Sequence, residues 1–175
     1  LILSDADTLS LAGAYYDPNR IYNLHEGANM VSFPSIGIHE ISNVLSSDVA
    51  SNLKAILAAG AAASFFEGSW IGSLTELEGL SGYWFIADSE VSFSFDTDGG
   101  NALSRSKAFK VKTPIGLEYN QSTEQAFYFV DPSNLKDIGI KNGDWLVSVC
   151  GSTIAGSRQY NGEIVDIPVM GYDGY

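Results

Sequence analysis

The chain has 175 residues, of which 45% are apolar and 17% are charged, a composition typical of a folded protein with a hydrophobic core. Its formal net charge of −12 argues against a nucleic-acid partner, because phosphate groups are bound by basic surfaces. No stretch reaches the roughly 20 apolar residues of a transmembrane helix, so we expect no membrane insertion.

The first segment, residues 1–21, is predicted to be a strand or an extended arm, because apolar and polar residues alternate in it. An exposed strand edge can pair with another chain. We therefore expect this segment to pack on a neighbouring subunit. The apolar residues that would make this interface are Leu1, Leu3, Leu9 and Leu11.

The second segment, residues 22–104, is predicted to be an α+β module. Residues 29–33 predict a buried strand that ends at Pro34. Further strands are predicted at residues 70–74, 83–86 and 91–95. Apolar residues at helical spacing predict a short helix, and they are Ile38, Ile41, Val44 and Leu45.

A second helix is predicted to begin after an N-cap at Ser47, with Asp48 in its first turn, and to end at Gly60. Residues 61–66 are then expected to be extended, the alternative being that they continue the helix. The apolar face of this helix would consist of Val49, Leu53, Ile56 and Leu57.

The third segment, residues 105–175, is predicted to be a β-sandwich-like or jelly-roll-like module, because short strand patterns recur at even spacing. These patterns lie at residues 126–130, 145–149, 153–157 and 163–167. The start at Leu1 and the turn-like last residues suggest a fragment or a processed chain, incomplete at the C-terminus. The predicted fold class is mainly β with a small helical insert, an α+β module followed by a β-sandwich or jelly-roll-like module.

The balance of acidic and basic residues changes near the predicted boundary at residue 104. Residues 1–104 contain 13 acidic and two basic side chains, whereas residues 105–175 contain eight acidic and seven basic ones. A basic run consists of Arg105, Lys107, Lys110 and Lys112. It is either a solvated strand face or a surface that docks against an acidic neighbour, in this chain or in another copy.

No constellation of catalytic residues is recognisable, so we expect a protein that is not an enzyme. The two histidines, His25 and His39, lack an accompanying G-x-S-x-G motif, and His39 is expected to be an exposed helix residue. The acidic residues show no distinguishable catalytic pair. The single cysteine, Cys150, follows a strand pattern and is expected to be a buried thiol.

Calcium is the ion that the sequence fits best. Asp96, Asp98 and Asn101 place three oxygen-bearing side chains on one loop, as hard cations prefer. The loop departs from an EF-hand, because Asn101 replaces the expected glycine and Lys107 the expected glutamate. Asp166 and Asp173 bound a weaker acidic loop. The alternative in both places is an ordinary turn.

Six tyrosines lie in turn-like surroundings, where they could stack on sugars, anchor a protein interface or pack against the core. They are Tyr15, Tyr16, Tyr22, Tyr160, Tyr172 and Tyr175. A glycan is therefore a candidate ligand.

Three short motifs give the chain a resemblance to known proteins. They are N-x-V-S-F-P at residues 29–34, W-x-G-S-L at residues 70–74 and G-Y-W at residues 82–84. The motifs resemble a module of secreted or surface proteins of marine bacteria and of structural proteins of marine cyanobacterial phages. Ala28 stands where that module has tryptophan, and its acidic G-E-G-x-A-A stretch is replaced by residues 59–63. Residues 125–171 resemble a β module that often lies beside it. The resemblance implies no catalytic residues.

We therefore predict a structural or assembly protein that is located outside the cell, on a cell surface or on a virion. Its partners would be copies of itself or a larger structural assembly. The alternative is a glycan-binding or calcium-binding module of a larger surface adhesin.

Overall fold

The computed structural model describes residue 17, residues 19–97 and residues 112–173, and strands are the main elements of these residues. The fold is mainly β with a small helical insert, which confirms the predicted fold class. The predicted boundary at residue 104 and most of the N-terminal arm lie outside the described residues.

The first group of elements lies within residues 22–93. It comprises β1 (Tyr22–Leu24), β2 (Gly27–Ser32), β3 (Ile38–Glu40), α1 (Ile41–Val44), α2 (Ser47–Ala50), β4 (Leu53–Ala58), β5 (Ala61–Phe66), β6 (Ser69–Gly72), β7 (Glu76–Glu78), β8 (Gly82–Ala87) and β9 (Val91–Phe93). The second group comprises β10 (Gln125–Val130), a 3-10 helix (Pro132–Ile138), β11 (Trp145–Cys150), β12 (Thr153–Gln159) and β13 (Val165–Met170).

A five-stranded antiparallel sheet in the order β2-β8-β4-β5-β6 organises the first group. Two small antiparallel pairs, β1-β9 and β3-β7, accompany it. The alternation of buried and exposed residues is clearest in β8, where Tyr83, Phe85 and Ala87 are buried and Trp84 is exposed. Such a period of two gives the sheet one core-facing surface and one outer surface.

Aromatic rings form the centre of the core beneath this sheet. Phe95 contacts Phe33 edge-on with ring centres 5.0 Å apart, and it contacts Phe93 at 5.1 Å. Each such contact adds about 1 kcal/mol to the stabilisation that burial provides. Other buried residues of this core include Val31, Ile41, Val44, Leu53, Ile56, Leu77 and Phe85.

The second group forms two antiparallel pairs, β10-β13 and β11-β12. A smaller core lies within it and includes Leu135, Leu146, Tyr160 and Val165. The 3-10 helix begins after Asp131, whose side chain accepts a hydrogen bond from the Ser133 backbone N–H at 2.7 Å. Pro132 occupies the first turn of this helix, where a missing N–H is tolerated.

The predicted long second helix is wrong. Helix α2 ends at Ala50 and is capped by Ser46 instead of Ser47, and the residues from Leu53 onward form strand β4. A bulge between Leu53 and Ala55 places Leu53 and Ile56 on the same buried side of β4, although they are three residues apart. The bulge therefore gives a strand the spacing of apolar residues that is normally typical of a helix.

The first helix was predicted correctly only in part, because Ile38 lies in β3 and the helix is limited to Ile41–Val44. The expectation for Cys150 is also wrong, since this thiol is exposed. Cys150 ends β11 after a bulge between Ser148 and Val149, where the strand leaves the core. A strand pattern alone does not show where along its length a strand stops being buried.

Candidate functional site

The outer surface of the five-stranded sheet is apolar at strands β2, β8 and β4. The register aligns Met30, Trp84 and Leu57 in one row across these three strands. The residues that the register places on this surface are Ala28, Met30, Ser32, Ala55, Leu57, Gly82, Trp84 and Ile86. We call these eight residues the outer face.

The eight residues of the outer face carry no charge, and the exposed Lys54 of the β4 bulge lies next to Ala55 at their border. The side chain of Met30 is 60% exposed and that of Trp84 is 41% exposed. A contiguous exposed apolar surface on a protein is typical of a binding surface. The outer face is therefore the strongest candidate for a contact with another macromolecule.

Strand β2 forms one edge of the sheet that bears the outer face. Within residues 19–97 and 112–173, it pairs only with β8. An edge strand presents backbone N–H and C=O groups that another strand can bind. The outer face and the end strand of the described sheet thus lie side by side.

A buried carboxylate joins the two groups of elements. Asp166 of β13 accepts hydrogen bonds from the backbone N–H of Ser73 at 2.6 Å and from its hydroxyl at 2.8 Å. It also forms an ion pair with the Arg158 guanidinium at 3.0 Å, with Asp166 fully buried and Arg158 23% exposed. Arg158 donates a further hydrogen bond to the carbonyl oxygen of Gly60 at 2.7 Å. Asp166 and Arg158 therefore fasten β12 and β13 to the sheet.

Burial raises the pKa of Asp166 above its ordinary value of 3.8, and the Arg158 charge and the Ser73 hydrogen bonds oppose this shift. A carboxyl group with a raised pKa binds its proton more tightly in the folded protein than in the unfolded chain. Its contribution to the free energy of unfolding therefore increases as the pH falls from neutrality through the folded pKa, and it is complete below the unfolded pKa.

We expect the raised pKa of Asp166 to make the free energy of unfolding depend on pH differently in the wild type and in Asp166→Asn. Urea unfolding of the wild type and of Asp166→Asn at several pH values measures this difference. The wild type should gain stability relative to the variant as the pH is lowered from 7 towards 4, because asparagine binds no proton. A difference that stays constant, or that changes in the opposite direction, contradicts the raised pKa.

His39 is buried, so its predicted exposure on a helix is wrong. It lies in β3 with 4% exposure, and its Nε2 atom is 2.9 Å from the Ser35 hydroxyl. Its ring contacts Phe33 edge-on with centres 5.4 Å apart. The alternation of β3 turns Glu40 outward and His39 inward, so this histidine is part of the core.

The candidate calcium site at Asp96, Asp98 and Asn101 falls mostly outside the described residues. Asp96 is exposed, and its backbone N–H donates to the carbonyl oxygen of Val44 at 3.1 Å. In the second acidic loop, Asp166 is held by Arg158 and Ser73, whereas Asp173 accepts hydrogen bonds from Ser122 and Thr123. No group of three or more His, Cys, Asp or Glu suited to a metal occurs within residues 19–97 and 112–173.

Most of the predicted interface residues also fall outside the described residues. These are Leu1, Leu3, Leu9, Leu11, Arg105, Lys107 and Lys110. Lys112 is described and exposed. Among the tyrosines, Tyr22 stacks on Phe93 and Tyr160 is buried, whereas Tyr172 is exposed. Tyr15, Tyr16 and Tyr175 are outside the described residues.

Sequence reasoning missed the contact of Asp166 with Ser73, which joins residues 93 positions apart. One signal was present, because Asp166 interrupts the apolar pattern of residues 164–170. A buried carboxylate needs donors around it. The pattern therefore indicates a polar contact inside the protein without identifying the partner.

No protein-family model, curated protein or solved structure matches the chain. Within the part of the chain that the structure describes, no helix is long and apolar enough to cross a membrane.

Proposed function

We propose that this protein is a structural component that acts by assembling with copies of itself, and that it has no catalytic role. The outer face is the observation that carries this proposal. It presents Met30 and Trp84 to solvent within a surface that is mainly apolar and has no acidic residue. Burial of such side chains against a partner contributes roughly 25 cal/mol per Å² of apolar surface.

Charge explains why a second copy is a suitable partner at this surface. Two molecules that each carry a net charge of −12 repel one another over most of their surfaces. A face without acidic residues is where two such molecules can approach at low electrostatic cost. Two sheets that pack face to face also bury apolar side chains between them, as in β-sandwich proteins.

The position of the protein outside the cell, on a cell surface or on a virion is part of the same proposal. Its support is the resemblance of the motifs at residues 29–34, 70–74 and 82–84 to those of surface and virion proteins. The outer face includes residues of two of these motifs, because Met30 belongs to the first motif and Trp84 to the third.

Assembly should depend on the outer face and can be measured by sedimentation or light scattering. The wild type should form species heavier than the 18.8 kDa chain. Met30→Glu should abolish the contact through the outer face and lower the mass of the assembly, because the new carboxylate would be desolvated in that contact. Met30 is exposed, so the variant should keep the fold.

Tyr128→Glu is the matched control, since Tyr128 is an exposed aromatic residue in β10, away from the outer face. It adds the same charge and should assemble as the wild type does. A wild type that remains monomeric at all concentrations contradicts the proposal. Equal effects of the two variants would contradict the assignment of the interface to the outer face.

A further inference from the structure

A groove of about 430 Å³ opens between α1, the start of α2, the β5–β6 hairpin and β7. Its apolar lining includes Ile41 and Leu45. Phe65 and Trp70 are both half-buried and line it as well, with ring centres 5.3 Å apart and planes at 61°. The groove thus offers aromatic and aliphatic surface to a ligand.

Two carboxylates line the same groove. Glu40 and Glu76 lie directly opposite one another in the antiparallel pair β3-β7. Like charges at directly opposed positions of two strands are destabilising. Glu40 accepts a hydrogen bond from the Asn43 side chain at 3.3 Å, but neither carboxylate belongs to an ion pair within residues 19–97 and 112–173. A bound cation would relieve this repulsion.

We propose that the groove binds the basic run (Arg105, Lys107, Lys110 and Lys112) of a second copy of this chain. Lysine and arginine combine an apolar stem with a cationic head. The stem fits a lining of aliphatic and aromatic side chains, and the head can contact an aromatic ring and a carboxylate together. The run holds four of the nine Lys and Arg residues of the chain within eight positions.

This inference rests on the proposed function, because it adds a second contact between copies. The groove and the basic run are different surfaces, so a contact between them is head-to-tail. Head-to-tail contacts generate rings or open filaments, whereas a face that meets its own copy closes a dimer. The combination of the two contacts would give an extended assembly.

The charge of the groove also favours the basic run over a neutral sugar as its ligand. The lining includes the hydroxyls of Ser42, Ser47 and Thr75, which could bind a glycan. However, the two carboxylates favour a ligand that brings positive charge. None of the described lining residues is Lys or Arg.

A peptide of residues 104–113 tests the inference directly. The receptor is the full chain with Lys107→Glu and Lys110→Glu, so that its own basic run does not compete. Titration is followed by the indole N–H signal of Trp70 in NMR spectra. The peptide should shift this signal, and Glu40→Gln with Glu76→Gln should weaken binding roughly tenfold. Raising the NaCl concentration from 0.05 to 0.5 M should also weaken it, because exposed charge pairs are screened.

Glu78→Gln with Glu90→Gln is the matched control, since both glutamates are exposed and absent from the groove lining. It removes the same charge and should leave the affinity within twofold. Equal losses in the two double variants, or no binding of the peptide, would overturn the inference. A Trp70 shift with calcium or a neutral oligosaccharide but not with the peptide would overturn it too.

Mixing two variants shows whether the contact is between copies. Both carry Met30→Glu, which removes association through the outer face. One also carries Glu40→Gln and Glu76→Gln, and the other carries Lys107→Glu and Lys110→Glu. Each should be monomeric alone, and the mixture should form a 1:1 pair. If the groove contacted the run of its own chain, no pair would form, and the inference would fail while the outer-face experiment remained interpretable.

Discussion

Asp166→Ala is expected to lower the free energy of unfolding by about 3 kcal/mol, because removal of one partner from a buried ion pair leaves the other charge uncompensated. The variant removes the acceptor of both Ser73 hydrogen bonds as well as the partner of Arg158. Arg158 is 23% exposed and can recruit water, which places the expected loss at the lower end of the range for buried pairs. Urea unfolding with a global fit of the midpoint and slope measures the loss.

Asp137→Ala is the control for this prediction, because Asp137 is an exposed aspartate in the 3-10 helix. It should change the free energy of unfolding by less than about 0.5 kcal/mol. The double variant Arg158→Met with Asp166→Ala should lose less than the sum of the single losses, since no unpaired charge remains. An Asp166→Ala variant as stable as Asp137→Ala would show that this contact does not stabilise the fold.

Gly72→Ala is expected to lower the free energy of unfolding by about 3 kcal/mol, from backbone strain and from overpacking together. Gly72 has φ of +113°, which residues with a Cβ rarely adopt. A Cβ there would collide with the carbonyl oxygen of Ala62 and would lie 3.0 Å from Cε1 of Phe129. Relief of the collision requires a shift of the backbone next to Ser73, which binds Asp166, so thermal and urea unfolding should both show the loss.

Gly68→Ala separates the two causes of the Gly72 effect. Gly68 also has a positive φ, of +82°, but a Cβ there meets no heavy atom within 4 Å. The backbone strain should therefore appear alone, at about 1 kcal/mol. If both variants lost the same stability, the close approach of Ala62 and Phe129 would not contribute.

Both predictions concern the junction between β5-β6 and the second group of elements. Phe129 of β10 approaches Gly72, and Asp166 of β13 binds Ser73 next to it. The Gln125 side-chain amide donates to the carbonyl oxygen of Ala58 at 3.4 Å. Gly72 at the end of β6 and Ser73 after it thus meet an aromatic side chain and a carboxylate from strands that are more than 50 residues away in sequence.

Local sequence patterns were sufficient to predict strands in which buried and exposed residues alternate regularly. The strand-forming residues 83–86 and the alternating residues 91–95 predicted strands that are present at Gly82–Ala87 and Val91–Phe93. The pattern failed at β4, where the bulge at residues 53–55 changed the spacing of buried residues. A bulge depends on the partner strand β8, which lies about 30 residues further along the chain.

For the candidate sites too, the sequence shows some of the residues involved, whereas the tertiary structure decides which of them meet. The basic run and the apolar residues of β2 and β8 are visible in the printed sequence. Their sequence does not show that Met30 lies opposite Trp84, or that Glu40 lies opposite Glu76. Register between distant strands decides both juxtapositions, and the burial of His39 follows from it as well.

The sequence by itself determined a mainly β protein with a small helical insert and an uneven distribution of charge, because composition and alternation act locally. Only the tertiary structure decided which apolar side chains remain exposed on the outer face and which carboxylates meet in the groove. It also decided that Asp166 is buried beside Ser73 and Arg158. The physical reason is that pairing between strands far apart in sequence decides which residues share a face of a sheet. The packing of one group of strands against the other then decides which of these residues are exposed to water.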